Sequence, residues 1–428
     1  MENTLKTFYA KIEEQKLNVD GLFLIKNDQI VSKAFWKPYD ENQLHRMYSI
    51  SKSLTMIAIG LLLTEKKIKL TDPITKYFDY DVKDDLINQM TIKDLLTMKT
   101  TFTQTTYKKS EGSWLESFFI TQPDKKPGTI FSYDTSASYV LSALVEKLSG
   151  MKMLDYVKKY FNFSKESYMI PTTEGISHGG STLMATLNDL KLLGDILKTN
   201  GLGIIDEAYM KEAKKFQSDT RYTTDGFDFT YGYGYQTWLN SKNGFTMYGM
   251  AGQLVYYDQD HDITLITVSN LTNMPNGTQM LLNLYHQYIG EKSSLIYENQ
   301  FYAYQGERIK SINQPVTNFN QTYQTNDHVK IDLSINHNIG ALTIGNQKIE
   351  FSLKDQIKGE FPNTKETYIA QGIVKPNKLY ITLYLTSEEL GTLYLDVSYD
   401  DETIVIVSKG FSENYLKEWN FNIKGEKE

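Results

Sequence analysis

Apolar and polar positions fall into two regimes along this chain, one on either side of about residue 290. In the first regime helical periodicity mixes with short apolar runs. In the second, short stretches alternate at a period of two. Residues 5–17 read as a helix, and 21–25 and 30–36 as strands around the turn Lys26-Asn27-Asp28, which together predict a helix followed by a hairpin. Next comes Met47-Tyr-Ser-Ile-Ser-Lys-Ser-Leu-Thr-Met-Ile-Ala-Ile-Gly-Leu-Leu-Leu63, a polar start running into an unbroken apolar stretch. Its apolar residues Leu54, Met56, Ile57, Ile59, Leu61, Leu62 and Leu63 cover every side of the predicted helix, so it must lie inside a protein core. Residues 67–74 and 92–98 continue a mostly helical middle, and 128–133 read as a turn leading to a strand-like piece. Two more amphipathic helices are predicted at 136–148 and 183–199, the second with Gly201 just past its end.

From Tyr231 glycine and aromatic residues take over, with strands at 245–248, 253–257 and 263–269 and a closing helix at 280–289. A boundary falls near Gly290-Glu-Lys-Ser-Ser294, dividing the chain into domains at 1–292 and 295–428. The alternating runs at 329–335, 341–344, 348–353, 379–385, 391–397 and 403–407 predict a small all-β barrel or sandwich.

Composition narrows the function classes. The 428 residues are 40% hydrophobic and 23% charged, ordinary for a globular protein. A net charge of −7 gives no basic footprint for nucleic acid or an anionic membrane. Without cysteine the chain has no disulfides, thiol nucleophile or thiolate metal site. The polar start and the short longest apolar run predict no signal peptide and no membrane span, hence a cytoplasmic protein as the sequence stands, or a secreted or cell-surface one if a leader was removed. The 31 tyrosines fit strand-rich structure and carry no functional reading.

The candidate chemistry sits at the start of the apolar helix. Three residues turn a helix by about 300° and raise it about 4.5 Å, so Lys52 stands one turn above Ser49 on nearly the same face. A hydroxyl and an amine could share a proton there, and a helix N-terminus favours developing negative charge. Lysine, with a reference pKa of about 10.4, needs desolvation or a neighbouring cation to act as a base, and the apolar run can supply the desolvation. The plain alternative is a helix cap, with Ser49 or Ser51 accepting a backbone N–H. A second Ser-x-x-Lys, Ser149 to Lys152, holds Gly150 after an amphipathic run and reads as a helix end.

Taken together, three places resemble the serine β-lactamase and penicillin-binding-protein superfamily, in its branch of class C β-lactamases, D-Ala-D-Ala peptidases and family VIII carboxylesterases. The likeness covers roughly residues 20–290. Tyr48-Ser-Ile-Ser-Lys-Ser-Leu-Thr55 is similar to the family's nucleophile segment, and Pro127-Gly-Thr-Ile-Phe-Ser-Tyr-Asp-Thr135 to its second motif, which makes Tyr133 the counterpart of the catalytic tyrosine. Leu70 to Ile74, Leu95 to Met98 and Gly179 to Leu183 resemble scaffold phrases. The third motif, usually Lys/His-x-Gly, finds its best match in Met247-Tyr248-Gly249. The resemblance implies an α+β fold, an antiparallel sheet flanked by helices with a mostly helical insertion. It also implies an acyl-enzyme on Ser49, proton transfer by Lys52 and Tyr133, and an oxyanion hole from the backbone N–H groups of Ser49 and Met250. Thr135, Met247, Tyr248 and Gly249 would line the substrate. Thr135 replaces a frequent asparagine and Met247 a usual cation, so a carboxylesterase is favoured over an efficient β-lactamase. No cofactor or metal is implied, and the partner is a small-molecule or peptide acyl substrate.

Two other readings compete: a non-enzymatic penicillin-binding or sensor module of the same fold, and an α/β-hydrolase. The latter would use Gly175-Ile-Ser-His-Gly179 as nucleophile elbow with Ser177, although the stretch before it is broken by proline and polar residues. Asp258-Gln-Asp-His-Asp262 has metal-site residue types but sits between strand-like runs as a turn would. His45 could line the site entrance or lie on the surface. Trp114, Phe118, Phe119, Tyr231, Tyr233 and Trp238 could wall an acyl pocket or pack a core.

Overall fold

The computed structural model describes residues 1–109, 112–222, 226–361, 364 and 366–428. Helix α1 (Glu2–Glu14) precedes the hairpin of β1 (Val19–Lys26) and β2 (Gln29–Lys37), then the short β3 (His45–Arg46) and α2 (Ile50–Thr64). A middle of short helices follows: α3 (Asp85–Gln89), α4 (Ile92–Leu96) and α5 (Trp114–Ile120), before α6 (Thr135–Ser149) and α7 (Met153–Lys158). Then come β4 (Tyr168–Met169), β5 (Leu183–Ala185), α8 (Leu187–Lys198) and α9 (Glu207–Ala213). The strands β6 (Trp238–Leu239), β7 (Phe245–Gly249), β8 (Gln253–Asp258) and β9 (Ile263–Ser269), helix α10 (Gly277–Tyr285) and β10 (Tyr302–Glu307) complete the first part.

Seven strands form one sheet in the order β10-β2-β1-β9-β8-β7-β6. The pairs β1–β2, β1–β9, β7–β8 and β8–β9 are all antiparallel. Alternation along β8 assigns its two faces. Val255 looks towards α8, where Gly194 leaves room for it, while the next residue, Tyr256, packs on Tyr285 of α10 with ring centroids 5.3 Å apart. Helix α2 is buried from Ile50 to Leu62, as its all-round apolar pattern requires.

Several expected elements differ. The predicted helix at 183–199 is split: residues 183–185 pair with β3 and β4, and the helix starts only after Thr186, which forms a capping box with Asp189. The strand-like piece at 128–133 pairs with no strand and runs as coil into the Asp134 cap of α6. The closing helix ends at Tyr285 and continues as a π-turn over His286–Gly290. The stretch 67–74 is a turn entering a single 3₁₀ turn, Ile74–Tyr77.

Two compact units divide the chain: Met1–Phe35, Tyr39–Ser269 and Asn276–Tyr304 make the first, and Trp36–Pro38, Asn270–Pro275 and Gln305–Glu428 the second. The second contains β11 (Phe319–Gln324), β12 (Lys330–Asn336), β13 (Ile339–Ile344), β14 (Gln347–Ser352), β15 (Ile357–Glu360), β16 (Thr367–Lys375), β17 (Lys378–Leu385), β18 (Gly391–Tyr399), β19 (Thr403–Ser412) and β20 (Phe421–Lys427). Of the barrel and the sandwich, the barrel is the one formed. Nine strands run in the order β14-β13-β12-β11-β20-β19-β18-β17-β16, and β14 closes on β16 through Ser352 and Gln371, with β15 added beside β16. Its interior is filled by side chains such as Tyr323, Phe351, Tyr368, Leu383 and Ile406.

Candidate active site

The turn into α2 sets the site. Tyr48 is buried with φ +44°, a conformation costly for a residue with a side chain, and it swings the chain from β3 into the helix so that Ser49 stands at the N-terminal end. Neither serine acts as the cap that a plain helix start would need. Ser49 makes no side-chain cap bond, and the Ser51 hydroxyl donates to the Tyr48 carbonyl at 2.6 Å while accepting from Leu183 N at 3.0 Å. The Ser49 hydroxyl faces Lys52 instead. Lys52 Nζ donates to Ser49 Oγ at 3.1 Å and to the Gly180 carbonyl at 2.8 Å, and the residue is 1% exposed.

Tyr133 completes the group. Its ring lies under Lys52 Nζ, 4.8 Å from the centroid, and stacks on Trp238 at 5.6 Å. The residue is 37% exposed at the mouth of the site, yet the protein packed around its phenol raises that group well above the ordinary tyrosine range, against a hydrogen bond with Ser49. The phenol is therefore protonated at neutral pH.

On the other side of Ser49 lies the end of β7. A Cβ on Gly249 would sit 2.1 Å from the Met47 carbonyl oxygen, so this strand end reaches the start of α2 only because residue 249 is glycine. The close approach explains the glycine by its packing on the chain itself. Met247 is completely buried, and Tyr248 packs on Phe229 at 4.8 Å and raises the Tyr133 phenol further. Met250, 39% exposed, follows in a tight turn held by Gln253, whose amide donates to Met250 O at 3.0 Å and to Ser269 O at 2.7 Å. Thr135 opens α6 beside Gly180, with its methyl 2.4 Å from where a Gly180 Cβ would be.

Several supporting residues carried no role in the sequence. Gln236 accepts from Ser138 Oγ at 2.6 Å and donates to Leu95 O at 2.9 Å, while its own carbonyl accepts from Ser53 Oγ at 2.9 Å, so one side chain and its backbone tie α2, α4 and α6 together. His178 accepts from Gly180 N through Nδ1 at 3.2 Å and meets Tyr107 Oη through Nε2 at 2.9 Å. Burial first, then the nearby charge of Lys52, lowers its pKa to about 4, so the ring is neutral. Asp134 caps α6 through Ser136 N and accepts from Thr100 at 3.2 Å. Only the Asp-Thr-Ser cap signal before the apolar run at 136–148 could have flagged it.

Burial raises the Asp134 carboxyl to about 6, against hydrogen bonds from Ser136 and Thr100 and the charge of Lys52. The folded protein thus holds a proton that the unfolded chain releases between the ordinary aspartate value of 3.8 and about 6, and the group removes stability as pH rises through that window. Asp134→Asn, which keeps a cap acceptor, is expected to flatten the pH dependence of the urea midpoint between pH 4 and 6.

Other expected residues lie elsewhere. His45 is neither at the entrance nor on the surface: it is buried against Asp20, with Nε2 2.9 Å from the carboxylate, because β3 lies inside the fold. Ser177 lies buried in a loop, paired to Pro171 by an isolated bridge, with no strand leading in and no helix leading out, so an elbow is not formed there. Residues 258–262 are the β8–β9 turn, where Asp258 accepts from His261 and Tyr285. The aromatic set divides. Tyr233 and Trp238 flank Tyr133 and Tyr231 is exposed beside Phe227, whereas Phe118 and Phe119 are core residues and Trp114 stacks on Tyr107 at 4.3 Å.

A family model described as Beta-lactamase matches residues 6–284, which covers β1 to β9, α2 and every residue of this site. The chain belongs to the Beta-lactamase family. This family member is 18% identical over 293 residues to the 6-aminohexanoate-dimer hydrolase of Paenarthrobacter ureafaciens, covering 60% of the chain and 74% of that enzyme. Its fold is similar to the octameric penicillin-binding protein homologue from Pyrococcus abyssi, with a TM-score of 0.52, 15% identity and 99% of both chains covered. It is also similar to EstCE1, a hydrolase with promiscuous acyltransferase activity, with a TM-score of 0.55, 14% identity and coverage of 66% of this chain and 97% of that one. Among the described residues of this β-lactamase-family chain, no helix is long and apolar enough to cross a membrane.

Proposed function

We propose that the protein is a serine hydrolase that cleaves an ester or amide through an acyl-enzyme on Ser49. The observation that carries this reading is the contact of Lys52 Nζ with both Ser49 Oγ and the Gly180 carbonyl, beside the Tyr133 ring. Ser49 attacks the substrate carbonyl and its proton passes to Lys52. The backbone N–H groups of Ser49 and Met250 receive the developing oxyanion, Tyr133 gives its phenolic proton to the leaving group and regains one from the Lys52 ammonium, and water then releases the acyl group as the acid, one of its protons passing through Lys52 to Ser49 Oγ. This division of labour follows from burial, which holds the Tyr133 phenol protonated.

The substrate is best read as one with a neutral acyl group. Met247 stands where the family usually has a cation and its side chain is buried, while Tyr133, Tyr231 and Met250 offer apolar surface. A carboxylesterase or an amidase fits this better than an efficient β-lactamase, and relatives named as a 6-aminohexanoate-dimer hydrolase and a hydrolase with promiscuous acyltransferase activity support that direction. The small-molecule or peptide acyl substrate is processed in the first unit, with the barrel of residues 305–428 as an accessory unit. A fluorophosphonate reagent is expected to label the full chain at Ser49 and leave Ser177 unmodified, read by peptide mass spectrometry. Labelling at Ser177 would overturn the assignment, and labelling at Ser49 without turnover of any p-nitrophenyl ester would mark an acyl-accepting binder.

A further inference from the structure

Lys52 Nζ donates to Ser49 Oγ and, at shorter range, to the Gly180 carbonyl, and the backbone N–H of that same glycine is held by a histidine outside the proposed machinery. We infer that His178 is a positioning residue, whose neutral imidazole anchors the backbone N–H of Gly180 so that the carbonyl of the same residue aims the Lys52 amine at Ser49. The inference rests on the serine-hydrolase reading given above.

The chain of contacts is short. Gly180 N–H donates to His178 Nδ1 at 3.2 Å, and the carbonyl of the same residue accepts from Lys52 Nζ at 2.8 Å. Because Nδ1 accepts, the ring proton of the neutral imidazole sits on Nε2 and is donated to Tyr107 Oη, 2.9 Å away. Aromatic neighbours hold the ring plane. Tyr139 stacks on it at 5.4 Å and Trp114 meets it edge-on at 5.8 Å. Gly180 cannot shift towards α6 without meeting the Thr135 methyl. The groups facing the imidazole are the phenols of Tyr107 and Tyr139, the Lys52 amine and the Arg46 guanidinium, none of them an anion that would favour a second ring proton. A doubly protonated ring would turn Nδ1 from acceptor to donor, facing the Gly180 N–H, and would place a positive charge beside Lys52.

The test separates the acceptor from the packing. His178→Asn offers an amide oxygen near the Nδ1 position, His178→Gln offers one near Nε2, and His178→Phe keeps a ring without any acceptor. On a p-nitrophenyl ester, His178→Gln and His178→Phe are expected to lower kcat about tenfold, the order of one buried hydrogen bond, with KM changed less than about twofold. They are also expected to move the ascending limb of the pH profile of kcat/KM, because the Lys52 amine facing Ser49 would sit in a changed field. His178→Asn is expected to stay within about threefold of the parent with the limb in place. Ser49→Ala run alongside keeps the two proposals apart. If Ser49→Ala abolishes turnover and all three His178 variants match the parent, or all three fall equally with an unmoved limb, His178 only packs. If Ser49→Ala retains turnover, the serine-hydrolase reading itself fails. Should His178→Phe not fold, the Asn and Gln pair decides the matter, since both are polar amides and the one extra methylene of glutamine moves the acceptor from the Nδ1 position to the Nε2 position.

Discussion

Ser49→Ala is expected to lower turnover of p-nitrophenyl acetate by about 10⁴-fold or more while the melting temperature stays close to that of the parent. The two halves of that expectation come from different observations. Activity falls because the hydroxyl is the group that Lys52 addresses at 3.1 Å, and an alanine leaves no atom to form the acyl bond. Stability is kept because the side chain closes no cap on α2, so the usual penalty for deleting an N-cap serine, about 1 kcal/mol, does not apply here. Ser177→Ala is the matched control. That residue is buried in a turn, with Ser142 Oγ donating to its backbone carbonyl rather than to its side chain, and the substitution is expected to leave turnover unchanged. A Ser49→Ala protein that still hydrolyses the ester at the parent rate would end the proposal.

What could be read from the sequence was whatever depends on local period. The all-round apolar run predicts a buried α2, and alternating runs beyond residue 300 predict the β-rich second unit. The strand β5 shows where that logic stops. Residues 183–185 are apolar and flow straight into a helical pattern, and only their pairing with His45 and Arg46 on one side and Tyr168 and Met169 on the other, away from them in sequence, makes them a strand. The same limit applies to the site. Ser49 and Lys52 lie one helical turn apart and are visible as a pair, whereas His178 reaches Gly180 locally but acquires its setting from Tyr107, 71 residues away. Gly249 was legible as the end of the third motif, but the atom that requires a glycine there, the carbonyl oxygen of Met47, comes from another part of the chain. His45 misleads for the opposite reason. Nearness to Ser49 in sequence says nothing about the face of β3 on which its ring is buried against Asp20.

Lys52→Met and Tyr133→Phe are expected to part company on substrates that differ only in the leaving group. Lys52 takes the Ser49 proton in the first step whatever the leaving group is, and methionine keeps the buried stem while deleting the amine, so acylation by a p-nitrophenyl ester and by an alkyl ester should both fall about 10³-fold or more. Tyr133 holds its proton, since burial raises the phenol, and its task in the proposed reaction is to give that proton to the departing oxygen or nitrogen. A p-nitrophenolate departs without one. Tyr133→Phe should therefore cost the p-nitrophenyl ester about tenfold, from lost contact with Ser49, and cost an alkyl ester or amide about 10²-fold or more. Single-turnover acylation rates on the two ester classes read the difference directly. Equal losses for Tyr133→Phe on both classes, with Lys52→Met the milder variant, would exchange the roles and make the phenol the base.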